Sequence, residues 1–477
     1  MMRRPLALLL SLALAFPARA IDLPDLGDVA ASELSPAAER RIGEEIIQHI
    51  RWKDAAYLDD PEVEEYVNRL GRRLAAVSNN PQQDFDFFVV KDATLNAFAL
   101  PGGYIGLHTG LILAAQSESE LASVVGHEIA HVTQRHIAQI VGKQSQSAML
   151  MLASLLVAVL AARSSADASM AAVAAGQAGA LQSQLGYSRD FERDADRVGL
   201  TTLEAAGFDV RGMPAFFERL QRNGRLYENN APAYLRSHPL TTERISDMEN
   251  RASSMRYRQV PDSADFRFVR AKLRALDGTA VDTARDLQDR LAKSPTDEAL
   301  RYALARAQLR AGQLAEAQAS AEALRRGAAP SPFIDTLVAE IQLARNDGAA
   351  AVHTLEAARK AFPASRSLVY ALADAQILAG RPADAVTTVR RAQQERSDDV
   401  RLWTLTSRAQ AALGRRTAQH RAQAEVYVLQ GSLPAAVEQL EIARKAGDGD
   451  FYELSAVDAR LRELKTRLIE ERRERDN

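Results

Sequence analysis

The chain has 477 residues, 47% of them apolar, which is enough for two domains, each with a core of its own. Sixty Lys and Arg stand against 62 Asp and Glu, for a formal charge of −2, so no basic excess points to nucleic acid. The absence of cysteine excludes disulfides and is compatible with export without proving it.

The first 20 residues, MMRRPLALLLSLALAFPARA, have two early arginines, an apolar run and small residues at Ala18 and Ala20. This is the plan of a cleavable signal peptide, with a mature chain starting near Ile21. No cysteine follows the small residues, which excludes a lipoprotein anchor.

In GYIGLHTGL, residues 103–111, Ile105, Leu107 and Thr109 alternate with Tyr104, Gly106 and His108. Period two predicts a strand, and as an edge strand it would offer backbone groups to an extended peptide. His108 reads as a strand histidine facing solvent or a helix.

VVGHEIAHVTQRH, residues 124–136, places three of the eight histidines within ten positions. Its apolar residues predict a helix, on which His127 and His131 share a face one turn apart and can grip one metal ion. Glu128 points elsewhere, free to touch a water. This is the HExxH arrangement, in which the glutamate takes a proton from a metal-activated water that attacks a peptide carbonyl. His136, if the helix continues, is rotated by about 140° from His131 and reads as a structural bystander.

The run AMLMLASLLVAVLAA, residues 148–162, reaches only about 22 Å as a helix, short of the roughly 30 Å of a bilayer core. Three readings stay open: a helix folded against the protease domain, a flap that touches a membrane or a client, and, disfavoured by length, a true span. In each, the low-complexity region 143–180 is placed to cover the metal site.

A two-histidine metal site needs a third protein ligand. In YSRDFERDADRVG, residues 187–199, Glu192 and Asp196 fall on one helical face. Glu192 would complete a His, His, Glu zinc site. Asp196 would bond the outer ring nitrogen of a ligand histidine and fix its tautomer.

HEIAHVTQRH followed by SRDFERDAD resembles the metallopeptidase family of HtpX and the CAAX prenyl proteases. NAFALPGGYIGLHTGLI (residues 96–112) and SHPLTTERI (residues 237–245) are similar to the family's flanking elements, in the same order. The resemblance implies an α+β zincin-type domain in which His127, His131 and Glu192 bind one zinc ion and Glu128 is the general base. It makes His238 and Arg244 active-site residues whose role stays open. Either can donate to the developing oxyanion, and His238, beside Pro239, can instead point inward and displace the water.

YRQVPDSADF, residues 257–266, reads as a boundary. Beyond it Gly312, Gly348, Gly380 and Gly414 punctuate Ala-rich and Leu-rich helices at about the 34-residue spacing of tetratricopeptide (TPR) repeats. The helix between Gly414 and Gly431 is expected to serve two hairpins, and the charged last helix to cap the stack. His353 and His420 read as ordinary surface or packing residues. The chain is thus mainly α: signal peptide 1–20, zinc metalloprotease domain 21–262, and an all-α TPR solenoid 263–477. Because solenoid repeats contact chiefly their neighbours, the protease domain is expected to fold without them.

A signal peptide, this protease and TPR repeats together resemble an exported branch of the family. That resemblance implies a periplasmic zinc endopeptidase that degrades misfolded outer-membrane proteins. Its repeats would assist β-barrel assembly by docking on the outer-membrane assembly machinery. The alternative is a chaperone or assembly scaffold with a latent protease; a membrane-embedded prenyl-type protease is disfavoured by the short apolar run.

Overall fold

The computed structural model describes residues 34–142, 189–224 and 233–476; the signal segment and the covering region 143–180 lie outside them. Among the described residues no helix is long and apolar enough to cross a membrane.

Two helices start the chain, α1 (Pro36–Lys53) and α2 (Pro61–Ala75). Each has proline in its first turn, where a missing N–H costs nothing, and a capping side chain before it, Ser35 or Asp60. Three strands follow, β1 (Asp86–Val90), β2 (Ala97–Leu100) and β3 (Tyr104–His108), in the order β1-β3-β2. β3 runs parallel to β1 and antiparallel to β2, and all five of its residues are buried. The strand of GYIGLHTGL is therefore where the alternation puts it, but it is central, not an edge. Ala56 and Leu58 bond the outer side of β1, with Leu58 N–H donating to Val89 O (2.9 Å). Among the described residues no strand covers the outer side of β2.

After the short α3 (Thr109–Ala114), helix α4 (Glu118–Thr133) has every residue from Glu118 to His131 buried. It is a central rod, packed on all sides by α2, β2, α6 (Arg189–Ala205) and α7 (Gly212–Gly224). α6 crosses it at Gly199, where a Cβ would stand 3.1 Å from the backbone of His127. A larger residue there would push the two helices apart. At the other end α4 does not continue: Arg135 takes φ +54°, and α5 (His136–Gly142) starts in a new direction. Helices α8 (Ala233–Ser237) and α9 (Thr242–Ser254) close the protease part.

The repeats are α10 (Ala264–Ala275), α11 (Ala280–Lys293), α12 (Glu298–Arg310), α13 (Leu314–Gly327), α14 (Pro332–Ala344), α15 (Gly348–Ala361), α16 (Arg366–Leu378), α17 (Pro382–Glu395), α18 (Val400–Ala412), α19 (Arg416–Leu429), α20 (Leu433–Lys445) and α21 (Phe451–Asp476). Left-handed turns at 278, 312, 346, 380 and 414 keep the 34-residue period without a slip. The slot at 346 is Asn346 (φ 62°), not glycine. Gly348 instead begins α15, where a Cβ would lie 2.8 Å from that of Ala379, so it is a packing glycine. α19 packs on both α18 and α20, as its shared position implies. α21 carries an apolar stripe, Val457, Leu461 and Leu464, against α20.

The two parts do not have separate cores. One apolar cluster runs from Val63 and Tyr66 of α2 through α4 and α7 to Phe266, Tyr302 and Ile341 of the repeats. The solenoid curls round the acidic first turns of α2. Lys272 Nζ meets Asp60 (2.6 Å) and Glu62 (2.5 Å), Ser367 N–H donates to Glu65 (3.0 Å), and Arg401 pairs with Glu64 (3.0 Å). Between α2 and the concave face remains a cavity of about 800 Å³.

Candidate metal centre

α4 presents His127 and His131 at successive turns, with His131 Nε2 3.0 Å from His127 Nε2. The close crossing of α6 brings Glu192 Oε1 to 3.4 Å from His131 Nε2. A fourth group arrives from the end of α8: His238 Nδ1 lies 3.3 Å from His127 Nε2 and 2.9 Å from Glu192 Oε1. One ligand atom from each of His127, His131, Glu192 and His238 lies within 4.8 Å of the others, and all four residues are buried. The edge of a tetrahedron of N and O ligands about 2.0–2.1 Å from a metal is about 3.3 Å, so this donor set fits one ion.

The electrostatics ask for a cation. Burial opposes charge on His127, yet Asp196 and Glu192 outweigh it and push its pKa up to about 10. Burial likewise opposes the Glu192 carboxylate, but the surrounding histidines hold its pKa well below the usual range. Glu128 is different. It is fully buried, burial pushes its pKa up, and neither of its oxygens has a well-formed hydrogen bond to a described residue. Its Oε1 stands 3.6 Å from His238 Nε2, beside the four ligand atoms and outside their set.

Behind the cluster, Asp196 Oδ1 lies 3.0 Å from His127 Nδ1, on the side away from the other ligands. Arg244 grips both Asp196 oxygens (2.7 and 2.8 Å), donates to Pro239 O (2.7 Å) and reaches Glu192 Oε2 (2.7 Å). These contacts hold α6 and the His238 loop in register.

Two residues gain a place that sequence reasoning did not give them. His136 is buried, and its Nδ1 lies 2.9 Å from Nδ1 of His131, because the left-handed Arg135 returns it to the ligand face. A helical wheel cannot show this, since neither Gly nor Pro marks the break. Tyr234 is buried with its ring stacked on His238 (centroids 4.7 Å, 28°), and its hydroxyl has no hydrogen-bond partner among the described residues. Its spacing of four from His238 was the available signal. His108 is buried in β3, with Nδ1 2.9 Å from Thr94 Oγ1, away from the cluster. His420 bonds Gln439 (2.8 Å) within the repeats.

Residues 61–252 match the model of peptidase family M48, and residues 342–409 match a tetratricopeptide repeat. The beta-barrel assembly-enhancing protease of Escherichia coli (strain K12) is 33% identical over 461 residues, 96% of this chain and 94% of that one. The chain belongs to peptidase family M48. A putative beta-barrel assembly-enhancing protease of Vibrio cholerae is 33% identical over 448 residues, covering 93% of this chain and 92% of its own length. The mitochondrial metalloendopeptidase OMA1 of Arabidopsis thaliana is 32% identical over 198 residues, 41% of this chain and 38% of its own. Members of M48 are metallopeptidases, and the buried His and Glu cluster is where this member can bind its metal.

Proposed function

We propose that this chain is an exported zinc endopeptidase of the periplasm that degrades misfolded outer-membrane proteins and, through its repeats, assists their assembly. The observation that carries the reading is the convergence of His127, His131, Glu192 and His238 beside a Glu128 that has no well-formed hydrogen bond to a described residue. His127, His131 and Glu192 would hold zinc, which supplies Lewis acidity to a water and to the scissile carbonyl. Glu128 takes the proton of the attacking water and returns it to the leaving amine. Asp196 and Arg244 keep His127 and Glu192 aimed.

The buried Tyr234 hydroxyl, which has no hydrogen-bond partner among the described residues, is available to donate to a developing oxyanion, while Arg244 is engaged by Asp196, Pro239 and Glu192. The side of β2 that no described strand covers offers backbone groups to an extended substrate, and only an unfolded chain can lie along it. The names of the nearly full-length relatives support an assembly role, and the concave face with its cavity supports docking by the repeats.

A second reading, a scaffold with a latent protease, is favoured by one fact: His238 occupies a ligand position. Complementation of a strain lacking the protein, with wild type and full-length Glu128→Gln, separates the two. Loss of rescue with Glu128→Gln is expected. Full rescue by that variant would establish the scaffold instead.

A further inference from the structure

The bend at Arg135 has a chemical result. A continuous helix would turn His136 away from His131, yet Nδ1 of the two rings lie 2.9 Å apart. The bend is braced from outside: Arg135 donates to Glu39 (2.7 and 3.1 Å) and to Leu34 O (2.6 Å), which offsets a left-handed backbone that non-glycine residues disfavour. His136 is then held flat against Phe191 of α6, with ring centroids 4.5 Å apart and an angle of 20°. Its Nε2 faces Asp194 Oδ2 at 3.5 Å, and the other oxygen of Asp194 is held by Arg197 at 2.6 Å.

The hydrogen positions follow from the network. His131 Nε2 faces the ligand cluster and must present a lone pair there, so its proton sits on Nδ1. That N–H donates to Nδ1 of His136, whose own proton is then on Nε2, facing Asp194. Alternate residues of α6 thus take three tasks: Glu192 enters the cluster, Asp194 acts on His131 through His136, and Asp196 acts on His127 directly.

We propose that His136, backed by Asp194, is a positioning residue for metal binding: it accepts the Nδ1 proton of His131, fixing that ring's tautomer and orientation. The reading rests on His131 being a ligand, as proposed above. Ordinarily the outer nitrogen of a ligand histidine meets a carboxylate, a carbonyl or water. Here a second imidazole stands between, which transmits the direction of the hydrogen bond while keeping the full negative charge one ring further from the metal.

The test uses full-length mature protein and zinc affinity measured by competition with a chromophoric chelator. His136→Phe keeps the stack on Phe191 but removes the acceptor, and weakens zinc about 10–100-fold, the range for losing such a partner. His136→Asn restores an acceptor near the Nδ1 position and recovers most of the affinity. In the cobalt-substituted protein, the visible ligand-field bands shift for Phe and return for Asn, which a packing effect would not produce. Asp194→Asn, at a partly exposed position, weakens zinc severalfold and keeps the proposal testable if the Phe variant misfolds.

Wild-type affinity in both His136→Phe and Asp194→Asn, or equal loss in Phe and Asn, overturns the proposal. His131→Ala is the separate control. Undiminished zinc binding there would overturn the ligand assignment itself, whereas loss there with no effect at 136 and 194 would overturn only the positioning role.

Discussion

Nδ1 of His238 lies 2.9 Å from Oε1 of Glu192, in the same cluster as His127 and His131. A histidine so placed competes with water for the open position that a hydrolytic metal needs. At saturating zinc, His238→Ala is therefore expected to cleave an unfolded substrate faster than wild type. A fall of roughly a hundredfold would instead make His238 a direct donor to the oxyanion.

The ligand set makes a prediction that does not depend on turnover. Glu192→Gln loses most of the bound zinc, whereas Glu128→Gln keeps about one ion per chain, because only Glu192 stands among the four ligand atoms. Metal analysis of the two purified variants checks this; equal contents would remove Glu192 from the set.

At the junction of protease and repeats, Lys272 is buried between Asp60 and Glu62. Burial pushes the Glu62 carboxyl up; it also opposes the charge on Asp60, but there Lys272 prevails and holds the carboxyl below its usual range. Lys272→Met strands two carboxyls and is expected to cost about 3–5 kcal/mol, whereas Glu62→Gln should change stability by less than about 1 kcal/mol. Urea unfolding at pH 7 measures both. A loss of less than about 1 kcal/mol in Lys272→Met would mean that the lysine contributes by packing alone.

Acid sensitivity has one source far from the metal. Burial pushes His108 from its ordinary 6.5 down to about 4, so the fold keeps the ring neutral while the unfolded chain takes up a proton. The contribution is complete above pH 6.5 and is lost as pH falls toward 4, about 3 kcal/mol in all. His108→Gln should lose about 2 kcal/mol less than wild type between pH 7 and 4.5. Parallel stability profiles for the two proteins would sink this.

Much of this arrangement is legible in sequence because local pattern and chemistry coincide. The spacing of His127, His131, Glu192 and Asp196 already lets two helices bring these side chains together, and the 34-residue period survives even where Asn346 takes the left-handed slot. What stays illegible depends on long-range approach or on a single backbone angle. The centrality of β3 depends on β1 returning beside it, and the contact of His136 with His131 depends on φ at Arg135. Nor does periodicity show that Lys272 belongs with Asp60, since the two lie 212 residues apart and meet only where the first repeat helix packs on α2.

The enclosure of α2 by the repeats also sets an order in time. Its acidic first turns come early in the chain, but their partners Lys272, Ser367 and Arg401 come 212 to 337 residues later. A chain made N-terminus first presents Asp60, Glu62 and Glu64 to water long before anything can meet them. Closing such long loops is slow. Formation of the repeats up to Arg401 is then the event that closes these contacts, so a newly made molecule acquires its final rigidity only after that part of the solenoid has formed.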